Sequence, residues 1–145
     1  MTLRAAQVVE TVGGTKAWKG RIKDQSDVVA RLRNGLPYSV LEALVRDFQL
    51  ELNELAPILD IPWTTLMRRR RAKRFKPDES DRLYRLAHIV AIAADVLEDK
   101  ERASRWLRKP NRALGGEVPL RLLDTEVGAR QVETILGRIE HGVYS

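Results

Sequence analysis

The segment from Pro77 to Leu97 limits the possible fold more than any other part of the chain. Leu83, Leu86, Val90, Ala93, Ala94 and Leu97 step by three and four, the spacing of one helical face. From Leu86 to Ala94 only His88 is polar, so this helix must be covered round most of its circumference. Pro77 suits a first helical position, and Asp78, Glu79 and Asp81 favour the positive end of the helix. A helix that meets so little water needs neighbours on several sides. No alternating strand pattern longer than four residues occurs to supply a sheet. The expected fold is therefore all-α, with this helix as its spine. At 145 residues the chain fits one domain, or two small ones sharing a core.

Several chemistries are excluded at once. There is no cysteine, hence no disulfide, thiol catalysis or thiolate zinc site. The two histidines, His88 and His141, lie 53 positions apart, which argues against a histidine metal site. Neither a metal nor a cofactor is expected. No run of 18 or more apolar residues is present, and no apolar leader follows Met1, so the expectation is a cytoplasmic protein without a membrane partner. An enzyme is disfavoured. There is no Ser/His/Asp ordering, no phosphate loop around Gly13-Gly14, and no carboxylate pair set in an apolar patch. His88 aligns with Asp81, Arg85 and Asp95, and reads as a solvated or hydrogen-bonded residue.

Residues 1–25 mix Gly13-Gly14, Gly20, several lysines and Trp18 without sustained periodicity. They read as a basic N-terminal arm with a short helix near Leu3–Val9. Asp27 to Leu32 suggests a brief helix, and Asn34-Gly35 before Pro37 is turn chemistry. Ser39 with Glu42 three residues on forms a capping-box pattern. Val40, Leu41, Leu44, Val45 and Phe48 then predict a helix to about Gln49. Beyond the spine, a helix is predicted from Asp99 to Leu107. An ordered loop around Pro110-Asn111 and Gly115-Gly116 follows, then a short turn from Pro119. The last helix, capped by Asp124 or Thr125, should bury Val127, Val132, Ile135, Leu136 and Ile139.

The charge is unevenly spread. The net +6 divides into +3 over residues 1–25, +4 over 26–76 and −1 over 77–145. Most of the excess lies in Arg68-Arg69-Arg70-Arg71-Ala72-Lys73-Arg74-Phe75-Lys76, where seven of nine residues are basic. Such a run repels itself within a helix unless a counter-charge is supplied, and phosphate is the usual source. Just before it, a short helix over Asn53–Leu59 and a break at Asp60-Ile61-Pro62 lead into a second helix from Pro62. This is helix-turn-helix patterning. Ala56 is small where the helices cross, Asp60 tolerates a left-handed turn, and Ile61 and Leu66 point inward. Trp63, Thr64, Thr65 and Arg68 then face the major groove, with Arg69, Arg71, Lys73 and Arg74 placed for phosphates. Pro57 falls inside the first helix and removes one backbone donor.

The C-terminal half carries a longer pattern. Ser80-Asp81-Arg82-Leu83, Ala103, Trp106-Leu107, Pro110-Asn111, Ala113-Leu114-Gly115-Gly116, Pro119-Leu120, Leu122-Leu123-Asp124-Thr125, Gly128, Val132, Leu136-Gly137-Arg138-Ile139 and His141-Gly142-Val143 stand at fixed spacings. Together with the helix-turn-helix they make residues 37–145 resemble the Xre/MbcA/ParS antitoxin family. The resemblance implies a helix-turn-helix domain over residues 26–90 and a toxin-binding domain over 91–145, joined by the long helix. It implies an antitoxin that inhibits a RES-domain toxin, an NAD-consuming protein of ADP-ribosyltransferase-like fold, and represses the shared operon at its operator DNA. It further implies a homodimer and larger toxin–antitoxin assemblies. Asn111, Arg138, His141, Gly142, Val143, Tyr144 and Ser145 are the expected toxin contacts. The tail Val143-Tyr144-Ser145 offers an aromatic ring and a terminal carboxylate that can fill a substrate pocket, against the alternative of simple fraying. The competing functional reading is a stand-alone repressor whose C-terminal part only dimerises.

Overall fold

The computed structural model describes residues 3–142 and is all-α among them. Its helices are α1 (Ala5–Thr11), α2 (Gly14–Trp18), α3 (Gln25–Asn34), α4 (Ser39–Asp47), α5 (Leu52–Leu59), α6 (Trp63–Ala72), α7 (Pro77–Leu97), α8 (Lys100–Arg108) and α9 (Glu126–Glu140). Two 3-10 turns, Arg112–Leu114 and Pro119–Asp124, join α8 to α9. The 21-residue α7 is the spine, packed against α1, α3, α5, α8, α9 and the second 3-10 turn. Leu83, Leu86, Ala87 and every residue from Ile89 to Ala94 are buried. Their continuous burial follows from the apolar run, which leaves no wide polar face for water.

The N-terminal segment is not an arm. Helices α1 and α2 carry Val8, Val12 and Trp18 into the core, each fully buried. The Trp18 indole N–H donates to the Val12 carbonyl at 2.6 Å, and its ring meets Tyr84 of α7 edge-on at 6.1 Å. Arg31 donates to the Trp18 carbonyl, and Ser39 Oγ to the Ala17 carbonyl. These helices of seven and five residues are too short to display a period, so their amphipathicity cannot be seen before α4 and α7 cover them. Gly13, at φ 86°, allows the close approach, since a Cβ there would collide with Ala17 and Ala43.

Two further expectations change. Ser39 is the first residue of α4 rather than its cap, because its hydroxyl is drawn to Ala17; Tyr38 holds the cap position. Val127 is 71% exposed rather than buried, since it lies on the outer side of α9, in line with the exposed Thr134 and Arg138. The inward positions of that helix are Ala129, Val132, Ile135 and Leu136. Thr125 caps it, accepting from the Gly128 N–H at 2.9 Å.

Two ties set α6 on the core. Leu36 and Tyr38 exchange backbone hydrogen bonds with Phe75 and Lys73 at 2.9 and 3.0 Å, and the Leu36 N–H also reaches the buried Ser80 hydroxyl of α7 at 2.7 Å. Arg69 turns back to Glu79 of α7, with Nε–Oε1 at 2.7 Å and Nη2–Oε2 at 3.1 Å. Glu79 Oε1 also accepts the Lys76 N–H at 2.8 Å. Burial alone would raise the Glu79 pKa, but the bonds from Arg69 and Lys76 outweigh it and hold the carboxyl below its usual range.

Replacing Trp18 by Ala should cost about 3–5 kcal/mol in urea unfolding, the penalty of an emptied core site; a change under about 1 kcal/mol would mean an arm after all. Glu79→Gln should cost about 1.5–3 kcal/mol at neutral pH by weakening a charged hydrogen bond. Because folding depresses this carboxyl, its contribution is complete above the unfolded pKa of about 4.3 and is lost as pH falls through the lower folded value. Unfolding free energies measured from pH 6 to pH 3 should therefore fall more steeply for the parent than for Glu79→Gln, and parallel curves would disprove the assignment.

Candidate functional site

Helix α5, the turn at Asp60 and helix α6 form the predicted helix-turn-helix. Asp60 adopts φ 53° and ψ 46°, and its N–H and that of Ile61 close on the carbonyls of Pro57 and Ala56 at 3.1 Å. Ala56, Ile61 and Leu66 are buried as the pattern requires. Pro57 sits on the exposed side of α5, so the Asn53 carbonyl it leaves without a donor can meet water. Glu51 and Glu54 form the capping box that starts this helix, a signal the sequence displays.

The seven cations of the basic run do not share one face. Thr64, Arg68 and Arg71 are exposed along one side of α6, and Trp63 is 51% exposed at its first turn. Thr65 is partly buried beside Leu66. Lys73, in the left-handed region at φ 64°, ends the helix and is exposed with Arg74, whose guanidinium reaches the Asn34 carbonyl at 3.2 Å. Arg70 lies on the opposite flank, lining a concavity with Tyr38, Leu41 and Glu42. Arg69 departs from expectation. Its fork is taken by Glu79 and its side chain is 12% exposed, so it positions α6 instead of meeting a phosphate. Among the described residues it is the one cation of the run that forms an ion pair with a carboxylate, and Arg68, Arg71, Lys73 and Arg74 stay exposed without one. Glu79 is not recognisable as its partner from the sequence, because ten residues and a helix break separate the two.

The C-terminal module is built from α8, the two 3-10 turns and α9, with α8 and α9 both packed on α7 and α9 beside Tyr84, Arg85, His88 and Ile89. Asn111 is half-buried and shapes its own loop. Its side-chain oxygen accepts from the Ala113 N–H at 2.9 Å, while its backbone pairs with Gly116 and Glu117 at 2.9 Å. Arg138, His141 and Gly142 are exposed at the end of α9, with His141 Nε2 3.9 Å from Glu140. Val143, Tyr144 and Ser145 lie outside the described residues. Trp106 is partly buried and packs on the core. His88 is half-buried and stacked on Tyr84 at 6.2 Å rather than solvated; burial lowers its pKa, and Glu133 opposes that. The sequence does not reveal how the two halves are tied. Arg108 of α8 bridges Glu54 at 3.2 Å and the Gln49 carbonyl at 3.3 Å, and Arg85 of α7 reaches the Asp124 carbonyl at 3.4 Å, while Arg82 donates to the Leu59 carbonyl at 2.6 Å within the helix-turn-helix half. Among the described residues no group of acidic or histidine side chains could hold a metal ion, and no helix is long and apolar enough to cross a membrane.

Comparison with known proteins matches both halves separately. Residues 27–88 fit the profile of the antitoxin Xre-like helix-turn-helix domain. Residues 93–142 fit the antitoxin Xre/MbcA/ParS C-terminal toxin-binding domain. The two matches meet within α7, which runs unbroken through both. The chain is 35% identical over 118 residues to Antitoxin Xre of Photorhabdus laumondii, covering 80% of each. It is 34% identical over 120 residues to Antitoxin Xre of Yersinia enterocolitica, covering 81% of each. It is also 27% identical over 131 residues to the Prs ADP-ribosylating antitoxin of a Sphingobium species, covering 82% of this chain and 81% of that one. Matched by both family domains in turn, and 34–35% identical to two Antitoxin Xre proteins over 80–81% of its length, this chain belongs to the Xre/MbcA/ParS antitoxin family.

Proposed function

We propose that this chain is the antitoxin of a type II module, which inhibits a cognate RES-domain, NAD-consuming toxin and represses its own operon. The observation that carries the reading is the separation of two surfaces by α7. One is the exposed cationic edge of α6. The other is the module ending in α9, whose last exposed residues, Arg138, His141 and Gly142, lead into Val143-Tyr144-Ser145. Similarity to an antitoxin named for ADP-ribosylation supports a partner that acts on NAD. The tail would enter the toxin's active site and block it, so the antitoxin needs no chemistry of its own. A homodimer would set two α6 helices against successive half-sites of a palindromic operator, and toxin binding would build larger assemblies from it.

Co-expression with the product of the neighbouring reading frame tests the toxin half. The full-length chain should co-purify with that product, preserve growth and preserve cellular NAD. A chain ending at Gly142 should lose most of the protection. Full protection by the shortened chain would remove the tail from the mechanism. A neighbour that is harmless and does not bind would leave a stand-alone repressor, the competing reading.

For the DNA half, Arg71→Ala, Lys73→Ala and Arg74→Ala together should lower the slope of log affinity against log salt by about 0.9 for each phosphate no longer neutralised. Toxin binding should be unchanged. Arg69 is left intact in this variant, because removing it would strand Glu79. An unchanged slope would place the operator contacts elsewhere.

A further inference from the structure

We propose that α6 reads a thymine with Trp63 and Thr64 and, within about two base pairs, a guanine with Arg68. The inference rests on the reading of α6 as the DNA-contacting helix and adds what that helix recognises. Trp63 is 51% exposed in the first turn of α6, where the N-terminal residues of a recognition helix meet base edges. An indole offers one N–H donor and a broad apolar surface, so it cannot pair bidentately with a purine edge. The major groove displays one apolar group that such a surface can cover, the 5-methyl of thymine. Trp63 borders a concavity lined by Asn53, Ala56, Pro57, Asp60 and Pro62. Asp60 is the one carboxylate there, and its charge disfavours phosphate and leaves the ring turned to bases.

Thr64, next in the chain and exposed, adds a methyl group to the same contact. Arg68 follows four residues later on the same face of the helix. Among the described residues it meets no carboxylate, in contrast to Arg69, so its fork is open for the O6 and N7 of guanine. Four residues span about 6 Å along the helix, close to two base steps of about 3.4 Å. The spacing therefore couples the two bases.

The test uses the full-length chain and a pool of randomised duplexes. From the enriched duplex, each thymine is replaced in turn by uracil, which removes the methyl alone, and each guanine by 7-deazaguanine, which removes N7. One uracil should weaken binding on the order of tenfold, within two base pairs of a guanine sensitive to the deaza change. Trp63→Ala should bind the parent duplex on the order of tenfold less tightly and be indifferent to that uracil, whereas Trp63→Phe should remain sensitive. Arg68→Ala should be indifferent to the deaza change. Undiminished methyl sensitivity in Trp63→Ala, or no methyl-sensitive thymine within two base pairs of that guanine, would overturn the proposal. Should Trp63→Ala fail to fold, the uracil scan of the parent chain still decides. If no duplex is enriched at all, the DNA-binding reading fails together with this inference; enrichment without methyl sensitivity defeats the inference alone.

Discussion

Burying α7 on nearly all sides is the constraint to which the other helices conform. A helix with Leu86 to Ala94 almost uniformly apolar leaves a large area to be removed from water, at roughly 25 cal/mol for each Å² covered. No single neighbour can cover a cylinder. The chain therefore surrounds it with α1, α3 and α5 from before and with α8 and α9 from after. The DNA-facing and C-terminal parts thereby share one core. The family profiles divide the chain near residue 90, yet nothing in α7 divides there. Arg108 reinforces the link by bonding across to Glu54 of α5 and to Gln49 before it, and Arg85 by reaching the Asp124 carbonyl.

On that frame the basic run behaves as two populations. The Arg69–Glu79 pair is nearly dry, with both acceptor oxygens and the Lys76 N–H engaged. Its geometry fixes the rotation of α6 about its own axis. That rotation directs Arg68 and Arg71 outward together and sends Arg70 to the Tyr38 flank. The surface charge is functional in direction because one member of the run is removed from it. A run of arginines without an internal counter-charge would repel itself; Glu79 relieves part of that strain and leaves the rest for an outside polyanion.

Much of this is legible in the sequence. Helix boundaries at Asp60-Ile61-Pro62, Pro77, Asp99 and Thr125 follow from caps, breakers and positive φ tolerance, which act within a few residues. The helix-turn-helix and its inward residues Ala56, Ile61 and Leu66 emerge from the same local rules. The N-terminal helices do not, since two short segments flanking Gly13-Gly14 display no period and owe their order to Trp18 entering a site that α4 and α7 create. Ser39 misleads for a related reason, because its hydroxyl finds a partner 22 residues away before it can cap its own helix. Val127 misleads because it stands five residues before Val132, which turns it away from the buried face of its helix.

Read alone, the sequence determined the class of fold, the spine, the recognition helix and the sign of its charge. Each of these depends on neighbours within one or two turns, or on composition. Which arginines face outward, where Asn111 directs its hydrogen bonds and how the two halves are joined were decided by tertiary structure. Those outcomes turn on partners such as Glu79, Glu54 and Gln49, brought within bonding distance only once the core around α7 has closed.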